Sequence, residues 1–239
     1  MAEAVPAAGG PAAARLRDVR GGLDREGVVA HVLELAEEGP AVVGLDFSFG
    51  LPAWFAAEQG AGDAEELWAV VAARGERWLR ECPAPFWGRP GTRRPPPDPA
   101  RPLWRRTERA SPHRPLSTFQ VGGAGAVGTG SLRGMPLLAR LRAAGAAVWP
   151  QDAASHLTVV EIYPREMTGP VVKSDPAARR ARVAADPRVP AAAADAVAAS
   201  EDAFDAAFSA LALAEHVDGL TALRAAPDVE GEIWRPGPP

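Results

Sequence analysis

The sequence predicts an α/β fold with a mainly parallel sheet. Short apolar runs of strand length alternate along the chain with segments whose apolar residues recur at the three- and four-residue spacing of an amphipathic helix. The strand-like runs are continuously apolar rather than alternating, as expected for strands that are covered on both faces. The length of 239 residues suits about one domain.

Composition excludes several classes of protein. Cys82 is the single cysteine, so a disulfide scaffold and a cysteine-based zinc site are excluded. No run approaches the ~18 apolar residues of a membrane span, and the N-terminus lacks the apolar core of a secretory signal. We therefore expect a cytoplasmic protein without a membrane partner. The net charge of -4 argues against indiscriminate binding of nucleic acid.

The first elements are a short strand and a helix. Residues 1–14 are rich in alanine, proline and glycine and are predicted to be disordered. Residues 15–20 are predicted as a short strand. Asp24 is a good N-cap for a helix that Gly39 and Pro40 end.

A buried strand and a second helix come next. Residues 41–47 form a continuous apolar run with one acid near its end, which predicts a parallel strand. Asp63 and Glu66 have the spacing of a capping box and begin a helix predicted over 63–80.

The middle of the chain is an insertion rich in proline and arginine. Seven prolines fall between 83 and 99, and residues 82–116 show no periodicity, which predicts a long loop that is either functional or mobile. Residues 117–121 are predicted as a strand. The glycine-rich residues 122–130 form a simple turn or offer N–H groups to a phosphate, but they lack the lysine of a P-loop.

The C-terminal half contains the clearest strand of the sequence, at 157–163. Before it come a helix with Pro136 near its first turn and a strand at 146–149. After it, Asp175 and Pro176 open an arginine-rich helix. The last elements are a helix from Ser200 to Val217, an edge strand at 231–234 and a tail at 236–239.

Acidic residues in apolar surroundings are the candidate site. Asp46 and Glu161 each lie near the C-terminal end of an apolar strand, the edge at which open α/β sheets bind ligands. Asp202 and Asp205 share one face of the last long helix. If the four carboxylates converge, Mg²⁺ or Mn²⁺ is the cation that their hard oxygen atoms suit. Two such ions would clamp the attacking and leaving oxygens of a phosphodiester.

Each acid also has a structural interpretation. Asp46 could form a turn, and Glu161 could be paired with an arginine. Asp202 could stabilise the first turn of its helix through the helix dipole.

Arginines and tryptophans mark a second candidate. Residues 89–114 carry eight arginines against Asp98 and Glu108, a local charge of +6 that leaves -10 for the rest of the chain. Trp87 and Trp104 accompany this stretch. Arginines hold phosphates while aromatic rings stack on bases, so the stretch suits the binding of a nucleic-acid strand; a solvated loop is the alternative. The candidate phosphate-binding residues in it are Arg93, Arg94, Arg105 and Arg106.

Four ordered segments carry a family resemblance. They are VVGLDFSFGLPAWF (42–55), FQVGGAGAVGTGSLRGMPLLARLR (119–142), VVEIYPREMTGPVVKSD (159–175) and SEDAFDAAFSALALAEH (200–216). Together they resemble the family catalogued as domain of unknown function 429, which is described as predicted nucleases with a ribonuclease-H-like fold. The resemblance covers about residues 15–235 and implies a single domain with a mixed sheet flanked by helices.

The resemblance also implies roles for individual residues. Asp46 falls on the fourth strand of such a fold, Glu161 on the next strand, and Asp202 and Asp205 on the last helix. Lys173 lies in a family-like GPVVKSD stretch, where it could contact a phosphate or a carboxylate.

One feature of the family is missing from this sequence. Relatives begin with a G-x-D-x-A strand whose aspartate is the central metal ligand, and no such strand precedes Asp46. We expect a fold that lacks its first strand, with MAEAV at 1–5 as the remnant of the segment after that strand. Either a longer start would supply the missing ligand, or the protein has lost that ligand together with the strand that carries it.

The sequence leads to three hypotheses about function. The first is a nuclease in which Asp46, Glu161, Asp202 and Asp205 hold Mg²⁺ or Mn²⁺, while Lys173 or Arg133 neutralises charge on the phosphate. The second is a catalytically degenerate protein that binds nucleic acid through residues 89–114. The third is a phosphotransferase or ATPase-like domain. The sequence indicates no protein partner.

Overall fold

A computed structural model describes residues 1–6 and 14–237. Its five strands and nine helices are counted within those residues. The strands are β1 (Ala2–Pro6), β2 (Ala14–Val19), β3 (Ala41–Leu45), β4 (Ala147–Val148) and β5 (Leu157–Glu161). The helices are α1 (Arg25–Glu38), α2 (Ala53–Glu58), α3 (Ala64–Glu81), α4 (Arg106–Ala110), α5 (Gly128–Ala143), α6 (Pro176–Ala184), α7 (Ala194–Ala198), α8 (Glu201–Glu215) and α9 (Val217–Thr221).

The α/β class is confirmed, and the chain forms two compact units. Within the described residues, unit 1 comprises 1–28, 162–222 and 235–237, and unit 2 comprises 29–161 and 223–234. The sequence predicts a single domain over 15–235, whereas each of these units is built from segments that are distant in sequence.

Unit 1 contains a two-stranded antiparallel sheet of β1 and β2, on which α8 packs. Its core includes Leu16 of β2 and the rings of Phe204 and Phe208 of α8, which are tilted by 36° with their centroids 4.4 Å apart. β1 occupies Ala2–Pro6, where the sequence predicts disorder. Residues 7–13 of that predicted segment lie outside the described residues, and Ala14 belongs to β2.

Unit 2 contains a three-stranded parallel sheet in the order β3-β5-β4. β5 is buried along its whole length, as its predominantly apolar sequence predicts. α3 and α5 pack against each other beside a cluster of aromatic rings that includes Phe55, Phe86 and Phe119. Parallel strands carry their C-terminal ends to one edge of the sheet, which positions the candidate site.

Several predicted helix starts are confirmed by their caps. The Asp63 side chain accepts a hydrogen bond from the Glu66 N–H at 2.9 Å. The Glu66 carboxylate reaches back to the N–H of Gly62, one residue before the cap position. Asp24, Asp175 and Ser200 likewise accept bonds from N–H groups in the first turns of α1, α6 and α8.

Two predictions about the middle of the chain are wrong. Residues 117–121 make only an isolated bridge, between Gln120 and Trp87, because the Ser117 hydroxyl turns the chain by accepting the Phe119 N–H. α5 begins at Gly128, so Pro136 lies inside the helix and not in its first turn. Gly134 is needed there, since a Cβ atom would meet the Phe47 ring at 2.6 Å.

The proline-rich insertion is a fixed structure without a regular sheet. Between residues 82 and 116 its one named element is the short helix α4. At the C-terminal end, the predicted edge strand at 231–234 reduces to a single parallel bridge between Ile233 and Glu161. Among the helices of residues 1–6 and 14–237, none has the length and apolarity that a bilayer crossing demands.

Candidate functional site

Asp46 and Glu161 lie at the same edge of the parallel sheet in unit 2. The register pairs Leu45 of β3 with Glu161, the last residue of β5. Asp46 is the next residue after β3 and is exposed, whereas Glu161 is buried, with 2% of its surface accessible. A buried carboxylate at this edge requires a cation or several donors to offset its lost hydration.

Arg105 supplies that cation. Its Nη2 donates to Glu161 Oε1 at 2.5 Å and its Nη1 donates to Glu161 Oε2 at 2.9 Å, a bidentate pair. The Phe49 N–H donates to the same Oε2 at 2.8 Å. Both oxygen atoms of Glu161 are therefore occupied by donors from this chain.

Arg105 also donates hydrogen bonds to α4 and to the chain near residue 230. Its Nε donates to Glu108 Oε1 at 2.9 Å, and its Nη1 donates to the Glu230 carbonyl at 2.8 Å. Burial tends to lower the pKa of Arg105, but the ion pairs with Glu161 and Glu108 outweigh it and raise the pKa above its usual value. Burial raises the pKa of Glu108, and Arg105 opposes that rise.

Arg105 and the groups bonded to it, which we call the Arg105 cluster, attach the arginine-rich stretch to the rest of unit 2. We call residues 89–114 the basic segment. The Glu230 carboxylate accepts the N–H groups of Ala53 at 2.8 Å and Arg106 at 2.6 Å. Thr107 accepts the Ile233 N–H through its hydroxyl. These bonds connect α4 to the chain around residue 230.

Exposed arginines cover the basic segment. Arg105 is completely buried, but the other seven arginines are exposed. Arg101 pairs with Glu58 at 2.6 Å, and Arg106 pairs with Asp228. No acidic side chain in the described part of the chain lies within ion-pair distance of the other five, which are Arg89, Arg93, Arg94, Arg109 and Arg114.

Two tryptophans organise the same surface. The Trp54 and Trp104 indole N–H groups donate to the carbonyls of Pro102 and Pro115, at 2.8 and 3.1 Å. The guanidinium of Arg94 lies 4.6 Å from the ring centroid of Trp104. The guanidinium of Arg101 lies 5.4 Å from that of Trp54. Two of the exposed arginines, Arg94 and Arg101, therefore lie against rings that hydrogen bonds orient.

Three residues predicted to contact phosphate are engaged elsewhere, and one of them is Arg106 in its ion pair with Asp228. Arg105 has no exposed surface, so it cannot reach a ligand in this conformation. Arg133, on α5, makes a two-pronged bond to the Glu76 carboxylate of α3, at 2.7 and 3.1 Å. Two acids in the sequence could have indicated that Arg105 forms a buried ion pair. They are Glu108, three residues later, and Glu161, the acid in the apolar strand at 157–163.

The other predicted metal ligands lie in unit 1. Lys173 donates to both oxygens of Asp205, at 2.8 and 2.5 Å, so it contacts a carboxylate. Burial raises the pKa of Asp205 despite the lowering effect of Lys173. Asp202, one helical turn earlier on α8, is exposed.

The residues present do not fit a divalent metal as they are arranged. The carboxylates of Glu161 and Asp205 already accept from a guanidinium and an ammonium group. Across residues 1–6 and 14–237, no three His, Cys, Asp or Glu side chains come together in a group suited to a metal ion.

Comparison with known proteins identifies one family. The model of the family described as "Protein of unknown function (DUF429)" matches residues 6–230. No curated protein and no solved structure matches the chain.

Replacing Arg105 tests the anchoring role of the cluster. We expect Arg105→Met to lower the free energy of unfolding by about 3–5 kcal/mol, because Glu161 and Glu108 remain buried without their cation. Trypsin should also cleave the basic segment faster in this variant. Thermal unfolding and timed proteolysis measure the two effects.

Arg109→Met is the matched control, since Arg109 lies on α4, which Arg105 directly precedes, but is exposed. Equal stability and equal proteolysis of the two variants would show that Arg105 does not anchor the segment.

Proposed function

We propose that this chain, which belongs to the DUF429 family of proteins of unknown function, binds nucleic acid through the exposed arginines of the basic segment. The observation that carries the proposal is the set of five exposed arginines that have no acidic partner among the described residues. Such guanidinium groups retain their full capacity to bind phosphate oxygens.

The fixed backbone of the segment supports this proposal. Arg105, Trp54 and Trp104 hold the chain by buried or indole-donated hydrogen bonds. Arginines on an ordered surface lose less conformational entropy on binding than arginines on a free loop.

Charge distribution supports it as well. The segment carries +6, while the rest of the chain carries -10 and repels a polyanion. Binding should therefore be confined to the segment and should weaken steeply as salt is added.

Neutralising three of the five arginines tests the proposal. In the triple variant Arg89→Gln, Arg93→Gln, Arg109→Gln, we expect affinity for a single-stranded oligonucleotide to fall at least about tenfold at ~0.1 M salt. The slope of log affinity against log salt should fall by about 2, because each phosphate contact contributes about 0.7. Fluorescence anisotropy over a series of salt concentrations measures both.

A control variant removes the same charge elsewhere. Arg74, Arg77 and Arg80 are exposed on α3, outside the segment, and their Gln variants should bind like the parent. Equal losses in the two triple variants would contradict a localised site.

Metal-dependent hydrolysis of nucleic acid is the second candidate function. The register of β3 and β5, which brings Asp46 and Glu161 to one sheet edge, favours it. A ribonuclease-H-like arrangement with Mg²⁺ or Mn²⁺ is part of this candidate. Because Arg105 and Lys173 hold two of the four acids, we derive no catalytic step through a metal.

A cleavage assay tests the second candidate. With Mn²⁺ and a panel of DNA and RNA strands, it predicts cleavage that Asp205→Asn abolishes and that Asp218→Asn, an exposed position on α9, preserves. A parent protein that cleaves nothing, or an Asp205→Asn variant that cleaves normally, would refute it.

A further inference from the structure

We propose that Trp104 and Arg94 form a stacking site for an unpaired base, so that the chain selects single strands over duplexes. This inference rests on the proposed function and names its substrate class. The ring of Trp104 is partly exposed, and the guanidinium of Arg94 lies 4.6 Å from its centroid.

Trp104 is fixed in place from within the protein. Its indole N–H donates to the Pro115 carbonyl at 3.1 Å. Its ring centroid lies 6.4 Å from that of Trp87, which is buried. Trp87 is fixed in turn by backbone bonds to Phe119 and Val121. A ring held this way stays in position when a ligand stacks on it.

Arg94 holds its place on this ring without an ion pair. It is exposed, and no carboxylate of the described residues pairs with it. Its contact with the ring is therefore one that a base can share, by stacking on the guanidinium plane, or take over, by stacking on the indole.

Arg101 on Trp54 is similar in form but differs in its bonding. Arg101 also pairs with Glu58 at 2.6 Å, and its guanidinium lies farther from its ring, at 5.4 Å. The ion pair holds Arg101, so Arg94 is the one of the two whose ring contact a base can share or replace without disturbing an ion pair.

Stacking on Trp104 implies a preference for single strands. In a duplex the faces of the bases are covered by their neighbours, whereas an unpaired base offers a free π-face to a ring or a guanidinium. The surrounding arginines hold the phosphates on either side of such a base. The segment thereby combines charge with one fixed ring.

An abasic strand separates base stacking from phosphate binding. We expect a thymidine oligonucleotide of about 12 nucleotides to bind about tenfold tighter than an abasic strand of the same length and charge. A duplex of the same length should also bind more weakly than the thymidine strand. Equal binding of the thymidine and abasic strands overturns the stacking site. If neither binds, the proposed function itself fails.

A charge-conserving substitution locates the effect. Arg94→Lys keeps the positive charge but loses the planar group. We expect it to weaken binding of the thymidine strand about fivefold, to leave the abasic strand unaffected and to leave the salt slope unchanged. Arg77→Lys, on α3 outside the basic segment, is the control and should bind both strands like the parent. Unchanged thymidine binding by Arg94→Lys, or an equal loss in Arg77→Lys, overturns the proposal.

Discussion

The bidentate pair between Arg105 and Glu161 is the interaction on which the candidate site depends. Glu161 ends a strand that is buried along its whole length, and its carboxylate would be strongly destabilising there without a cation. Arg105 satisfies it and also bonds to Glu108 and to the Glu230 carbonyl. A single buried guanidinium thus joins β5, α4 and the chain near residue 230. The exposed surface of the basic segment depends on this attachment.

Unit 1 also contains a predicted metal ligand that is paired with a basic side chain. Asp205, which the family resemblance assigns to a metal, accepts both of its bonds from Lys173. In each unit, a carboxylate that the sequence predicts as a metal ligand is paired with a basic side chain of the same unit. The positive charge that remains exposed in the basic segment is then the chemistry most available to a ligand. A polyanion with accessible bases matches the arginines and the ring of Trp104 together.

Sequence patterns predicted the parts of the fold that depend on local chemistry. The caps at Asp24, Asp63 and Ser200 and the apolar run of β5 were correct, because each depends on neighbours along the chain. The site was less accessible to such reasoning. Arg105 lies among seven exposed arginines, and its partners Glu108, three residues later, and the distant Glu161 distinguish it from them. Its burial is a long-range effect. Pro136 lies inside α5 because that helix already begins at Gly128.

Photocross-linking is the most direct test of the account as a whole. A single-stranded oligonucleotide carrying a photoreactive thymidine analogue would be irradiated with the full chain at about 0.1 M salt, and the modified peptides identified by mass spectrometry. The account predicts that cross-links concentrate in residues 89–114, with Trp104 among the modified residues. Cross-links spread over α3 and unit 1, or none within the basic segment, would contradict it.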